Sequence, residues 1–206
     1  MSARDDVLSR VRAALGAGVA VPEVPRGYRG PRIDDSSVDR FCERVAEYKA
    51  SVTRIAAADL AATVSRLCAE RGALRIAVPP GGPASLEGVE LVVDSPPLAP
   101  AVLDELDGVL TGSALAIAET GTIVLDGGER SGRRALTLVP DWHICIVEES
   151  SIVAGVPDAV ALLRDAASEG RPITLVSGPS ATSDIELDRV EGVHGPRRLD
   201  VVLTGK

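Results

Sequence analysis

A series of short aliphatic runs, each cut off by a turn, runs through this chain, and few architectures accommodate their order. Leu74-Arg75-Ile76-Ala77-Val78 stops at Pro79-Pro80-Gly81-Gly82, and Leu91-Val92-Val93 stops at Asp94-Ser95-Pro96-Pro97. Val109 to Thr111, Ala114 to Ala118, Thr122 to Leu125, Ala135 to Val139 and Ile144 to Val147 follow at close spacing. Ile173 to Val176, an apolar run suited to a buried strand, and Asp200 to Leu203 complete the series. Segments with helical spacing separate the outer runs. Ser37 can cap a long helix from Val38 to about Ser51, with Phe41, Val45 and Tyr48 on one face. Asp59 to Glu70 places Leu60, Val64, Leu67 and Cys68 together and ends at Gly72. Ala101 to Asp107 is a short helix, and Pro157 opens another that runs to about Ser168. Strands alternating with helices predict a mostly parallel sheet covered on both faces. The strands between 109 and 147 leave no room for crossover helices and should include antiparallel pairs. Aromatic residues are only 2% of the chain, so the core must be Ala, Val, Leu and Ile, which suits helices on an aliphatic sheet.

The N-terminus reads differently. Residues 4–15 place Val7, Leu8, Val11, Ala14 and Leu15 on one helical face, and Gly16 and Gly18 stop the pattern. Val19 to Asp35, with Pro22, Pro25 and Pro31, is an extended arm. The expected division is a helix and arm over 1–35 and an α/β domain over 36–206. Such a helix can dock on a partner, on another protomer or on its own domain. A net charge of −8 argues against nucleic-acid binding and offers anionic membranes no basic patch. The three cysteines, Cys42, Cys68 and Cys145, have no metal-motif spacing, so neither a metal nor an iron–sulfur cluster is expected on this chain. Met1 to Leu15 lacks a signal-peptide core, and no apolar run approaches the roughly 18 residues of a membrane span. A cytoplasmic protein fits these features.

Three segments can carry chemistry. Ser177-Gly178-Pro179-Ser180-Ala181-Thr182-Ser183-Asp184 follows an apolar strand, and a short helix is expected after it. Backbone N–H groups and a helix dipole there would favour an anion, with Gly178 allowing close approach and Ser180, Thr182 and Ser183 adding hydroxyls. Ser183-Asp184-Ile185-Glu186 also matches a capping box, which needs no ligand. In Ala118-Glu119-Thr120-Gly121-Thr122, Glu119 can serve as base or nucleophile if it faces a cleft, or the segment is simply a tight turn. In Gly192-Val193-His194-Gly195-Pro196-Arg197-Arg198, His194 can move protons and Arg197 can pair with an anion, or Gly and Pro merely shape a loop. Pro140 to His143 either lines a pocket or holds a packed Trp142 and a satisfied His143. A triad of Ser180, His194 and Asp184 has no G-x-S-x-G elbow behind it.

In this order, Ala118-Glu119-Thr120-Gly121-Thr122, Ser177-Gly178-Pro179-Ser180-x-Thr182-x-Asp184-Ile185-Glu186 and Gly192-Val193-His194-Gly195-Pro196 resemble the lactate-utilisation (LUD) domain family over roughly residues 38–205. The resemblance implies a three-layer α/β/α fold with a mixed, mostly parallel sheet, similar to the NagB/RpiA/CoA-transferase group. It also implies a part in oxidising L-lactate to pyruvate beside partner proteins that carry iron–sulfur clusters. The resemblance marks positions and not roles; Glu119 and Asp184 within its motifs are the candidate catalytic carboxylates. Thr120, Gly121, Thr122, Gly178, Pro179, Ser180, Thr182, His194 and Gly195 within them, and Arg197 just beyond, are the candidate ligand contacts. Family members often carry a polar or basic residue where this chain has Ala181, so backbone donors are expected to dominate at that turn. The competing reading is a stand-alone transferase- or ligase-like enzyme acting on a small carboxylate or phosphorylated ligand.

Overall fold

The structure, a computed structural model, describes residues 2–16, 22–25, 27, 37–183 and 189–205. In chain order the elements are α1 (Ala3–Leu15), α2 (Ser37–Glu47), β1 (Ser51–Ala56), α3 (Leu60–Arg71), β2 (Arg75–Val78), β3 (Glu90–Val93), α4 (Pro100–Asp104), β4 (Gly108–Gly112), β5 (Leu115–Ile117), β6 (Thr122–Leu125), β7 (Trp142–Glu148), β8 (Ile152–Val153), α5 (Val156–Leu162), α6 (Arg164–Ser168), β9 (Thr174–Val176), β10 (Ala181–Ser183), β11 (Arg189–Glu191) and β12 (Arg198–Gly205).

Six strands form a wholly parallel central sheet in the order β1-β12-β7-β4-β2-β3. Side chains along its strands alternate between two covered faces, as a pleat requires. Leu110, Ile144 and Val202 pack against Val64, Leu67 and Cys68 of α3. Cys145, Val147, Leu199, Val201 and Leu203 point the other way, onto Phe41 and Val45 of α2, and Val109 meets Leu103 beyond α4's first turn. The expected α/β/α layering with a mostly parallel sheet is therefore present.

The antiparallel pairs expected between 109 and 147 lie in a second sheet, ordered β8-β5-β6-β9, in which β6 runs antiparallel to both β5 and β9. Ala116, Ala118, Ile123 and Leu125 face the central sheet, whereas Leu115, Ile117 and Val124 face Ala159 and Leu163 at α5. Being apolar on both faces, this small sheet lies between the central sheet and α5.

Tertiary pairing overrode several local expectations. The first long helix stops at Glu47; Lys49 takes a left-handed backbone (φ 65) and Ser51 starts β1, which is held in register beside β12. Ala135 to Val139, expected as a strand, is a 3-10 turn over Arg134–Thr137, because Leu136 is drawn into the α4 cluster. The helix opened by Pro157 breaks at Leu163 into α5 and α6. β9 is an edge strand, paired only with β6, and Leu175 on it is 60% exposed rather than buried. Ala181–Ser183 pairs with Arg189–Glu191 as an antiparallel ribbon, and the short helix expected from Ser183 onward lies outside the described residues. Among the described residues no helix is long and apolar enough to cross a membrane.

Candidate functional site

The turn after β9 borders a cleft of about 600 Å³ between the second sheet and the central sheet. Ser177 to Ser180 and the adjoining His194 to Pro196 form two walls, and Arg134, Thr137 and His143 line the floor. Glu47 and Tyr48, from the end of α2, line it as well.

The two walls are tied by a closed set of hydrogen bonds. The Ser180 N–H donates to the Pro196 carbonyl (2.8 Å), and the Gly192 N–H donates to the Ser180 carbonyl (3.0 Å). The His194 N–H donates to Ser180 Oγ (3.0 Å). Arg134 reaches across, Nη2 donating to the His194 carbonyl (3.0 Å) and Nη1 to the Thr137 carbonyl (2.7 Å). The Ser180 N–H is thus already used, and the helix start expected from Ser183 and Asp184 lies outside the described residues. The Ser180 hydroxyl accepts from His194, which leaves its own proton free to donate.

The Ala118–Thr122 segment joins the wall through side chains. Thr120 Oγ1 and Thr122 Oγ1 are 2.7 Å apart, and Thr122 Oγ1 is 2.7 Å from Ser177 Oγ. Its backbone is a tight turn between β5 and β6, with Gly121 at φ 60 against the backbone of Arg44. Glu119 lies outside the cleft: it is exposed, and its Oε2 sits beside Gly155 at the start of α5. Arg197 also lies elsewhere. It pairs with Asp141 (2.9 Å) in a separate depression of about 290 Å³ shared with Arg71, Trp142 and Arg198. Thr182 is in β10, and Asp184 lies outside the described residues. Thus Gly178, Pro179, Ser180, His194 and Gly195 line one cavity, Thr120, Gly121 and Thr122 buttress it, and Glu119 and Arg197 do not reach it.

Both readings of Pro140–His143 hold, because alternation along β7 sends neighbours to opposite faces. Trp142 packs on the α3 side, its indole N–H donating to Asp200 and the Arg71 guanidinium lying 4.8 Å from its ring centre. His143 faces the cleft, is 2% exposed, and has Nε2 2.8 Å from Thr111 Oγ1. Burial, and secondarily the positive charge of Arg134, push its pKa down to about 3, so the ring is neutral at physiological pH.

Arg134 is the residue that sequence reasoning missed. Its neighbour Arg133 is bound bidentately to buried Asp94 (2.7 and 2.9 Å). Arg134 has no carboxylate within ion-pair distance among the described residues, and burial lowers its pKa from the usual value. Nothing in Gly132-Arg133-Arg134-Ala135 distinguishes the paired arginine from the open one. Only the 3-10 turn, which rotates successive side chains apart, separates them.

The cleft can therefore receive an anion: a half-buried guanidinium, a neutral imidazole and a hydroxyl converge on it. Among the described residues no group of three or more His, Cys, Asp or Glu is placed to hold a metal ion.

Known proteins resemble this chain throughout. The LUD domain pattern matches residues 101–204. "Lactate utilization protein C" of Deinococcus radiodurans is 43% identical over 205 residues, covering 98% of this chain and 96% of that protein. The Bacillus subtilis protein of the same name is 38% identical over 98 residues, 46% of this chain and 40% of its own length. A crystal structure of a DUF162 family protein from Deinococcus radiodurans superposes with a TM-score of 0.73 at 42% identity, covering 82% of this chain and 97% of that one. With half the chain matched by the domain pattern and nearly all of it by a relative, this protein belongs to the LUD domain family.

Proposed function

We propose that this chain works in L-lactate utilisation as the component that holds a small carboxylate, alongside iron–sulfur partner proteins that carry the electrons from lactate to pyruvate. The relatives' name supports a part in lactate utilisation. The observation that carries the binding role is Arg134, an arginine half withdrawn from water into a polar cleft with no carboxylate partner among the described residues. A cation partly withdrawn from water and left without an anion is disfavoured, and a ligand carboxylate relieves that cost. The cysteines support the division of labour. Cluster motifs set their thiols a few residues apart, and Cys42, Cys68 and Cys145 are widely spaced in the sequence.

Titration of the full chain with propionate, L-lactate and pyruvate tests the reading. Binding of at least one acid is expected, weakened about tenfold or more in Arg134→Gln by loss of a charge-assisted hydrogen bond. No binding by any of the three, or binding indifferent to Arg134, overturns it. Co-purification with iron–sulfur proteins tests the assembly. A stand-alone transferase or ligase built on Glu119 and Asp184 is less well supported, because Glu119 stands outside the cleft. Glu119→Gln and Asp184→Asn are expected to leave lactate-dependent growth unchanged, and loss of growth in either would favour the enzyme.

A further inference from the structure

Thr111 and Cys145 lie beneath the cleft floor and have no part in the carboxylate reading. Thr111 is 1% exposed, and its hydroxyl proton has two acceptors in reach: His143 Nε2 at 2.8 Å and Cys145 Sγ at 3.8 Å. An imidazole nitrogen at that distance is much the better acceptor, since thiol sulfur accepts weakly. The Cys145 thiol can turn its own proton to the Ile146 carbonyl (3.9 Å). The Thr111 hydroxyl therefore donates to Nε2, and a neutral ring must then carry its proton on Nδ1. Its depressed basicity keeps His143 neutral, so Nδ1–H is a donor over the whole physiological range.

The other open polar groups beside His143 are mainly donors. Arg134 contributes its guanidinium and Ser180 its free hydroxyl proton, while the nearby carbonyls of Thr137, His194 and Pro196 already accept from Arg134 or the Ser180 N–H. A carboxylate with an adjacent carbonyl presents acceptors only, which matches such a floor. The corresponding α-hydroxy acid brings a hydroxyl proton as well, and the acceptors at the cleft are already engaged: the Glu47 carboxylate pairs with Arg44, and the carbonyls offer only a second lone pair beside a bond already made.

Resting on the carboxylate reading above, we propose that His143, held as the Nδ1–H tautomer by Thr111, is the specificity-determining residue of the cleft. It donates to the carbonyl oxygen beside the carboxylate taken by Arg134, so the cleft favours an α-keto acid over the α-hydroxy acid of the same skeleton. In the lactate–pyruvate pair the site is then matched to the oxidised partner.

Two measurements on the full chain test this. The first is the ring tautomer of His143, read from long-range proton–nitrogen correlations without ligand. Protonation at Nδ1 is expected, and protonation at Nε2 overturns the proposal whether or not any acid binds. The second is the affinity order of pyruvate, L-lactate and propionate. Pyruvate is expected to bind about tenfold more tightly than either, the worth of one well-placed hydrogen bond. His143→Leu and Thr111→Val are expected to erase that preference. Equal affinities, all lost in Arg134→Gln, leave the carboxylate site standing and overturn the selectivity; tighter lactate binding also overturns it. Absence of binding by all three acids removes both. The wild-type tautomer and affinity order do not depend on the variants folding.

Discussion

Gly178 and Gly121 show how little latitude single positions of the cleft wall have. At Gly178 (φ 120) a Cβ would fall 2.7 Å from Cβ of Tyr48, and at Gly121 (φ 60) 2.7 Å from the backbone of Arg44. Both seat the wall directly against α2. Gly178→Ala is expected to cost about 2 kcal/mol through backbone strain and overpacking, lowering the melting temperature by roughly 4–8 °C in a domain this size. An unchanged calorimetric melt would contradict it. The adjacent arginines should separate cleanly in the same assay. Arg133→Gln leaves Asp94 buried and unpaired and should cost about 3 kcal/mol, at the low end for a broken buried pair because Arg133 is partly exposed. Arg134→Gln should cost little stability and should act on ligand binding. His143 gives a pH signature. Its folded pKa lies below its unfolded value, so the unfolded chain binds the proton first as pH falls. Its contribution is complete above about pH 6.5 and declines below it, by roughly 2 kcal/mol at pH 5. Urea unfolding at the two pH values should show that loss, and His143→Leu should flatten it. Asp94 adds to acid sensitivity at lower pH. Burial alone would raise its pKa, but the Arg133 hydrogen bonds and charge and the Leu98 N–H outweigh burial and lower it, so its contribution is present above about pH 4 and lost as pH falls further.

Among the elements, α1 stands apart. Its Ser2–Asp5 capping box satisfies its first turn, yet it has no buried residue, and Val7 and Leu15 are each 60% exposed. Its helix is therefore a local product of capping and spacing, whereas the domain's helices are held by burial. Deleting residues 1–15 should leave the domain's melting temperature unchanged, and a clear drop would show that the stripe packs on the domain in solution. β1 is the opposite case. The helix expected to about Ser51 gives way after Glu47, and the edge of β12 offers β1 a full ladder from Ser51↔Asp200 to Ala56↔Gly205. A ladder of that length outweighs the small helix preference of a few residues. The ribbon of β10 and β11 extends the same kind of pairing, continuing the hydrogen bond between the Ser180 and Gly192 backbones into strands.

Over the whole molecule, two sheets sharing one aliphatic interior leave the thiols little room to react. Burial raises all three cysteine pKa values, and only Cys42 is less than fully buried. Native protein at pH 8 should therefore react with a thiol reagent at Cys42 alone and slowly, whereas unfolded protein should react at all three cysteines. Rapid native labelling of Cys68 or Cys145 would show that the interior opens. The interlayer arrangement also accounts for the cleft. The second sheet covers Cys145 and Val147 on β7 but stops short of His143, and the gap at that end is the cavity.

Periodicity and turn residues determined most of the strands, the parallel character of the main sheet and the three motifs that mark the family, because these depend on neighbours a few residues apart. Gly178, Ser180, His194 and Gly195 could be singled out in the same way, since their turns carry their own residue signature. Tertiary structure alone decided which candidates share a cavity. It moved Glu119 to the start of α5 and Arg197 to Asp141, and it brought Arg134 and His143 to the floor across sequence gaps that no local pattern spans. Whether an arginine is already paired with a carboxylate is a property of contacts between distant segments, and at Arg133 and Arg134 that contact separates a structural ion pair from an open anion site.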